Sequence, residues 1–210
     1  MAKRRRLLMS MSELHGGAKF ALERIVFFSD AVFAIAITLL VLEIEVPHLP
    51  PDAPVHEYWA ELGRLIPNFL AFVLSFLVIG RFWLSHHQIF SRVTHFDVAL
   101  VWPNLLYLLA IGVMPFTTAF VAAGHNTFVP ALCYNLNLLL TGILAWFLMF
   151  WIEHKGLAVP GPDNRYSGSP GVIAAAALAV ALAFVIPQIS QFAMVTLPLW
   201  RLVFHRKGAA

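Results

Sequence analysis

One carboxylate stands inside an apolar run. Between Ile25 and Ile44 the chain is almost wholly hydrophobic, yet Ser29 and Asp30 fall within it. A charge at the centre of a membrane helix costs at least about 2.5–3.5 kcal/mol on insertion scales, so Asp30 needs a partner or a task. Candidate partners lie in two other runs. One ends Arg81-Phe82-Trp83-Leu84-Ser85-His86-His87, with Trp83 and His87 at i, i+4 on one helix face. The other opens Trp102-Pro103-Asn104. With Arg24 at the head of the first run, these residues could form a helix-positioning polar network of Arg24, Ser29, Asp30, Trp83, His86, His87 and Asn104. A proton relay between Asp30 and a histidine is a second possible chemistry, because histidine titrates near neutral pH. A metal site is not expected: neighbouring helical residues diverge by about 100° and the usual zinc spacing is absent. Ser29 and Ser85 lack a Gly-x-Ser-x-Gly or His-Glu-x-x-His setting, so the chain does not read as an enzyme.

The elements that must position these residues follow from composition. Of 210 residues 60% are hydrophobic and 12% charged, with a mean hydropathy of +0.79, against about 25% charged in ordinary soluble domains. That surface suits lipid and predicts an all-α membrane protein. Apolar runs predict six transmembrane helices, at residues 25–44, 65–83, 98–121, 128–152, 172–186 and 189–204. Residues 1–24 and 205–210 read as tails flanking one membrane domain, 25–204. The last two runs meet at Pro187 and read as a hairpin in preference to one kinked helix. The basic start (Lys3, Arg4, Arg5, Arg6) precedes too short an apolar stretch for a secretory signal. Cys133 is the single cysteine, which leaves no intrachain disulfide.

Charge orders the spans. Basic residues fill the N-terminal segment, the second loop (Arg81, Arg92), the fourth (Lys155, Arg165) and the C-terminus (Arg201, Arg206, Lys207). The first loop is acidic and proline-rich, and the third, around Gly124, has no lysine or arginine. That alternation predicts a multi-pass protein of the cell membrane with both termini in the cytosol. The stretch 156–171, rich in glycine and proline, reads as a flexible loop.

Along the first helix Ile35, Thr38, Leu39 and Leu42 recur at i, i+3, i+4 and i+7 and share one face. Ser29 and Asp30 project about 120° and 140° away from Ile35. The polar pair thus points into the protein's own bundle, and the stripe is left for packing, lipid or another subunit. In the third span Pro115 implies a kink that the hydroxyls of Thr117 and Thr118 could compensate.

The run from Arg24 to Glu43, with Phe28-Ser29-Asp30 at its core, closely resembles the signature first helix of the transmembrane protein 175 family, the potassium channels of endosomes and lysosomes with shorter prokaryotic relatives. Trp83-Leu84-Ser85-His86-His87, Trp102-Pro103-Asn104 and Pro115-Phe116-Thr117-Thr118 are similar to that family too; the fourth to sixth runs agree mainly in hydropathy. The resemblance implies a homotetrameric cation channel whose first helices line a central pore. It makes Ile35, Thr38, Leu39 and Leu42 the pore wall, with Ile35 at the family's isoleucine constriction. Potassium ions, the bilayer and three further copies of the chain are then the partners, with no cofactor, metal or nucleic acid. The chain carries no Thr-Val-Gly-Tyr-Gly loop, so weak to moderate selectivity and a hydrophobic gate are expected. The runner-up is a proton-coupled secondary transporter using Asp30, for which no second intramembrane acid or broken-helix pair is visible.

Overall fold

The computed structural model describes residues 2–124, 127–159, 170–197 and 200, with the side chains of 2–16 and 18 left aside. Helix α1 runs Ala2–Leu39 and tightens into a 3-10 turn, Leu40–Glu43; α2 spans Val55–Arg64, α3 Ile66–Phe90, α4 Val101–Ala123, α5 Phe128–His154 and α6 Pro170–Ala183. A 3-10 helix, Pro187–Thr196, follows. Four helical stretches are long and apolar enough to cross a membrane: Lys19–Glu43, Ile66–Phe90, Val98–Ala123 and Phe128–His154.

The observed elements extend the expected ones. The backbone of the N-terminal segment is helical and continuous with the first span, since α1 runs from Ala2 to Leu39. Helix α3 continues about two turns past residue 83, which places His86 and His87 on the helix and not beyond its end. The acidic loop holds a helix that the sequence reading missed. In α2 and just beyond it, Val55, Tyr58, Trp59, Leu62 and Ile66 recur at helical spacing, and all five are exposed. Four prolines before Val55 (Pro47, Pro50, Pro51 and Pro54) hid that period, and a shorter window would have found it. The fifth run is the 14-residue α6. After it the chain turns at Phe184–Ile186, and the 3-10 helix packs back on α6 and α5. Of the sixth run, residues 198–199 and 201–204 lie outside the described residues, as do Arg165, Arg206, Lys207, the tail 205–210 and most of the stretch 156–171.

Packing puts α4 at the centre. It touches α1, α3 and α5, while α5 carries α6 and the last 3-10 helix. Half of the apolar window of α4 is buried against 22% for α1. So α1 leans on the bundle with one face and leaves most of its surface exposed in the single chain. The core gathers Phe33, Leu40, Ile79, Leu100, Tyr107, Ile111, Met114, Leu138 and Leu148, all 1% exposed or less. The loops after α3 and α5 meet in an isolated antiparallel bridge, Val93 with Ala158, where Val159 N–H donates to Arg92 O at 3.0 Å and Thr94 N–H to Leu157 O at 2.9 Å. The second and fourth loops therefore share one end of the bundle, the arrangement that alternating spans require.

Pro115 lies inside α4, and both Thr117 and Thr118 hydroxyls donate to Met114 O, at 3.1 and 2.9 Å. Asn137 of α5 donates to Ala110 O at 3.3 Å, so a neighbouring helix also serves the backbone near the proline. Gly124, which ends α4, is held by close approach: an added Cβ would run into the Pro130 ring and lie 3.0 Å from Phe120 O. Gly124→Ala is expected to cost about 1–3 kcal/mol, the usual range for overpacking, read as a lowered melting temperature in detergent. An unchanged Tm would mean that the α4–α5 connection yields freely.

Candidate functional site

The first helix has two faces with different neighbours. Ser29, Phe33, Ala36 and Leu40, spaced 4, 3 and 4 apart, are each at most 2% exposed. On the far side Ile35, Leu39 and Leu42 are 57%, 42% and 72% exposed, and Thr38 is exposed with them. The stripe is thus largely bare in the single chain, while the polar pair faces inward. Thr38 donates its hydroxyl proton to the helix's own carbonyls, Ala34 O and Ile35 O, both at 3.0 Å.

Behind this helix a directional chain of hydrogen bonds joins three helices. Asn104 Nδ2 of α4 donates to Ser29 Oγ of α1 at 3.0 Å, and Ser29 Oγ donates to Ile25 O at 2.8 Å. Because the Asn104 amide faces Ser29, its Oδ1 is the acceptor for His86 Nε2 of α3, 2.9 Å away. His86 therefore carries its proton on Nε2. Its Nδ1 is buried without a hydrogen-bond partner. The imidazole is held flat by aromatic rings, stacked on Phe90 at 4.4 Å and on Tyr107 at 5.9 Å, with Phe33 of α1 at 5.6 Å. Tyr107 is fully buried and donates to Phe82 O at 3.1 Å.

Asp30 is half-buried beside this chain and takes a separate partner, the Trp83 indole, whose Nε1–H donates to Oδ1 at 2.9 Å. Trp83 in turn lies 6.0 Å from the His87 ring, which is how the exposed His87 reaches the group. Arg24 is placed apart. Its guanidinium lies 5.9 Å over the Phe20 ring, at a cleft that Asn104 helps to line. The structure thus brings Ser29, Asn104 and His86 into one network, adds Asp30 with Trp83 alongside, and leaves His87 and Arg24 at its margins. No group of three or more potential metal ligands occurs among the described residues.

Sequence reasoning missed the buried polar groups in the other half of the bundle. Ser75 Oγ lies 2.9 Å from Thr118 Oγ1 and pairs with the Tyr134 hydroxyl at 3.0 Å, joining α3, α4 and α5. Asn135 Nδ2 donates to Ala179 O and Ser190 Oγ, at 3.0 and 2.9 Å, pinning α6 and the last 3-10 helix to α5. Neutral serine, threonine and asparagine in apolar runs are the signal that could have found them, because polar side chains at membrane depth turn inward.

Comparison with known proteins identifies the lineage of this arrangement. The sequence profile described as the endosomal/lysosomal potassium channel TMEM175 matches residues 24–115, a range that contains every residue of the stripe and of the polar network. The crystal structure of a lysosomal potassium-selective channel TMEM175 homolog from Chamaesiphon minutus superposes with a TM-score of 0.70 at 32% identity, over 87% of this chain and 97% of that one. The chain belongs to the TMEM175 family. Among curated relatives, a potassium channel of Streptomyces collinus is 42% identical over 132 residues, which is 61% of this chain and 62% of that protein. The endosomal/lysosomal proton channel TMEM175 of Mus musculus is 35% identical over 123 residues, 54% of this chain and 24% of that protein. The chain thus spans about three fifths of the Streptomyces relative and a quarter of the mouse TMEM175. With four candidate spans and this family, it is a multi-pass membrane protein.

Proposed function

We infer that this protein is a potassium-permeable cation channel, a homotetramer of six-helix subunits in the cell membrane with both termini in the cytosol. The observation that carries this reading is the two-faced first helix. One face is fixed by hydrogen bonds to α3 and α4, and the opposite apolar face is solvent-exposed in the single chain. A single subunit cannot enclose an axis, whereas a closed ring brings the same face of each copy together. Rings of Ile35 and Leu39 then form an apolar neck that stops ions by dewetting. Thr38, with its proton held by the helix backbone, offers a ring of oxygens to a partly dehydrated cation, and Leu42 continues the pore wall toward Glu43. The relatives named potassium channels support potassium as the ion; the mouse protein, named a proton channel, makes the proton the competitor to measure.

The test is passive flux of potassium, sodium and protons in liposomes holding the purified protein. Potassium flux exceeding sodium flux by severalfold, without an imposed proton gradient, supports the channel. Uptake that appears only under a proton gradient would replace it with a transporter centred on Asp30. Asp30→Asn sharpens the contrast. The amide retains an oxygen for the Trp83 indole, so it is expected to leave passive potassium flux within about twofold and to cost under about 1 kcal/mol of stability. A proton-coupled carrier would lose its uptake.

A further inference from the structure

We propose that the cleft between the N-terminal half of the first membrane span and the start of α4 binds an anionic amphiphile, its headgroup on Arg24 and its chain against the apolar wall. The cleft has a volume of about 380 Å³, within the range of about 300–1,000 Å³ usual for ligand sites. Phe28 and Ile25 of α1, Leu105 of α4 and Phe96 of the preceding loop give it apolar walls. Its one cationic lining residue is Arg24, which is exposed and has no carboxylate partner among the described residues.

The acids nearby in sequence are engaged elsewhere. Glu23 pairs with Lys19 at 4.0 Å, and Asp97 accepts from Ala99 N at 2.8 Å to start the turn into α4. Arg24 is five residues into the span Lys19–Glu43, about 8 Å along the helix axis, the depth at which a long basic side chain reaches lipid headgroups. An unpaired cation at the mouth of an apolar cleft at this depth complements a headgroup phosphate or carboxylate followed by an acyl chain. Arg24 suits that role because its guanidinium binds planar oxyanions bidentately. The floor of the cleft adds a consequence. Asn104, 2% exposed, lines it while donating to Ser29, so an occupant rests on the bond that fixes the first helix.

Native mass spectrometry of the detergent-purified full chain reads occupancy without reference to conduction. Offered phosphatidylglycerol and phosphatidylcholine in equal amounts, the protein is expected to retain phosphatidylglycerol at least tenfold more. That preference disappears in Arg24→Gln, persists in Arg24→Lys, and retention falls in Leu105→Trp, which fills the apolar wall while keeping the charge. Circular dichroism confirms that each variant is folded. Displacement by palmitate would assign the site to fatty acids, and displacement by phosphatidylglycerol alone to phospholipid; either keeps the proposal. Equal retention of the two lipids, retention unchanged in Arg24→Gln, or full displacement by inorganic phosphate would overturn it.

Discussion

Ile35→Asn raises passive potassium flux through the reconstituted protein at least tenfold. A tenfold gain needs about 1.4 kcal/mol off the barrier, and a closed ring of four copies requires only about 0.35 kcal/mol from each. An asparagine at a dry apolar neck supplies that readily, because its carboxamide holds water where a branched alkyl chain excludes it. Stability should change little: Ile35 is 57% exposed and makes no contact with the polar network, and surface substitutions of this kind stay within about 0.5 kcal/mol. The control is Leu70→Asn on α3, a residue 54% exposed. The two positions are equally bare in the single chain, so exposure alone predicts the same result for both. Only the pore assignment predicts a rise at Ile35 and none at Leu70. A rise in both would indicate nonspecific leak, and a rise in neither would remove Ile35 from the pore.

The sequence allowed the two faces of the first helix to be read because helical periodicity is local. Angles of about 100° per residue separate Ser29 from Ile35 whatever surrounds them, and the structure has Ser29 buried and Ile35 bare. The partnership of Asn104 with Ser29 and His86 was approachable because each is a polar group inside an apolar run near the same end of its span. Which nitrogen meets which oxygen was not legible. That depends on crossing angles and on rings such as Tyr107 and Phe90, whose stacking on His86 has no local sequence signal. Arg24, six residues before Asp30, reaches the network from its edge: rotation about the helix carries its side chain over Phe20, to a cleft that Asn104 also lines. The second half of the bundle stayed hidden for a related reason. Ser75, Thr118 and Asn135 are neutral, so hydropathy absorbs them, and only three-dimensional packing shows that Ser75 meets Thr118 and Tyr134 while Asn135 reaches Ala179 and Ser190.

The largest stability loss is expected at Asn104. Asn104→Leu keeps the branched side chain of four heavy atoms but removes both bonds that the amide makes, to Ser29 and to His86. Ser29 loses little, since its proton still goes to Ile25 O. His86 loses more: its Nε2–H is left without an acceptor among aromatic rings, and its Nδ1 already has no partner. Interhelical hydrogen bonds in membranes average only about 0.6 kcal/mol, whereas a stranded buried donor costs about 1–3 kcal/mol. The stranded imidazole therefore dominates, for a total of about 2–4 kcal/mol. The same arithmetic predicts a rescue. In Asn104→Leu combined with His86→Phe, no polar atom is stranded, and a phenyl ring fits the stack on Phe90 and Tyr107. Replacing both partners with apolar groups of like shape is close to neutral, so the double variant should recover at least about 1 kcal/mol relative to the sum of the single changes. Melting temperatures of the four proteins in one detergent close the cycle. Strict additivity would mean that Asn104 and His86 act independently, and the first helix would then owe its position to the Asn104–Ser29 and Trp83–Asp30 bonds and to packing, with no contribution from His86.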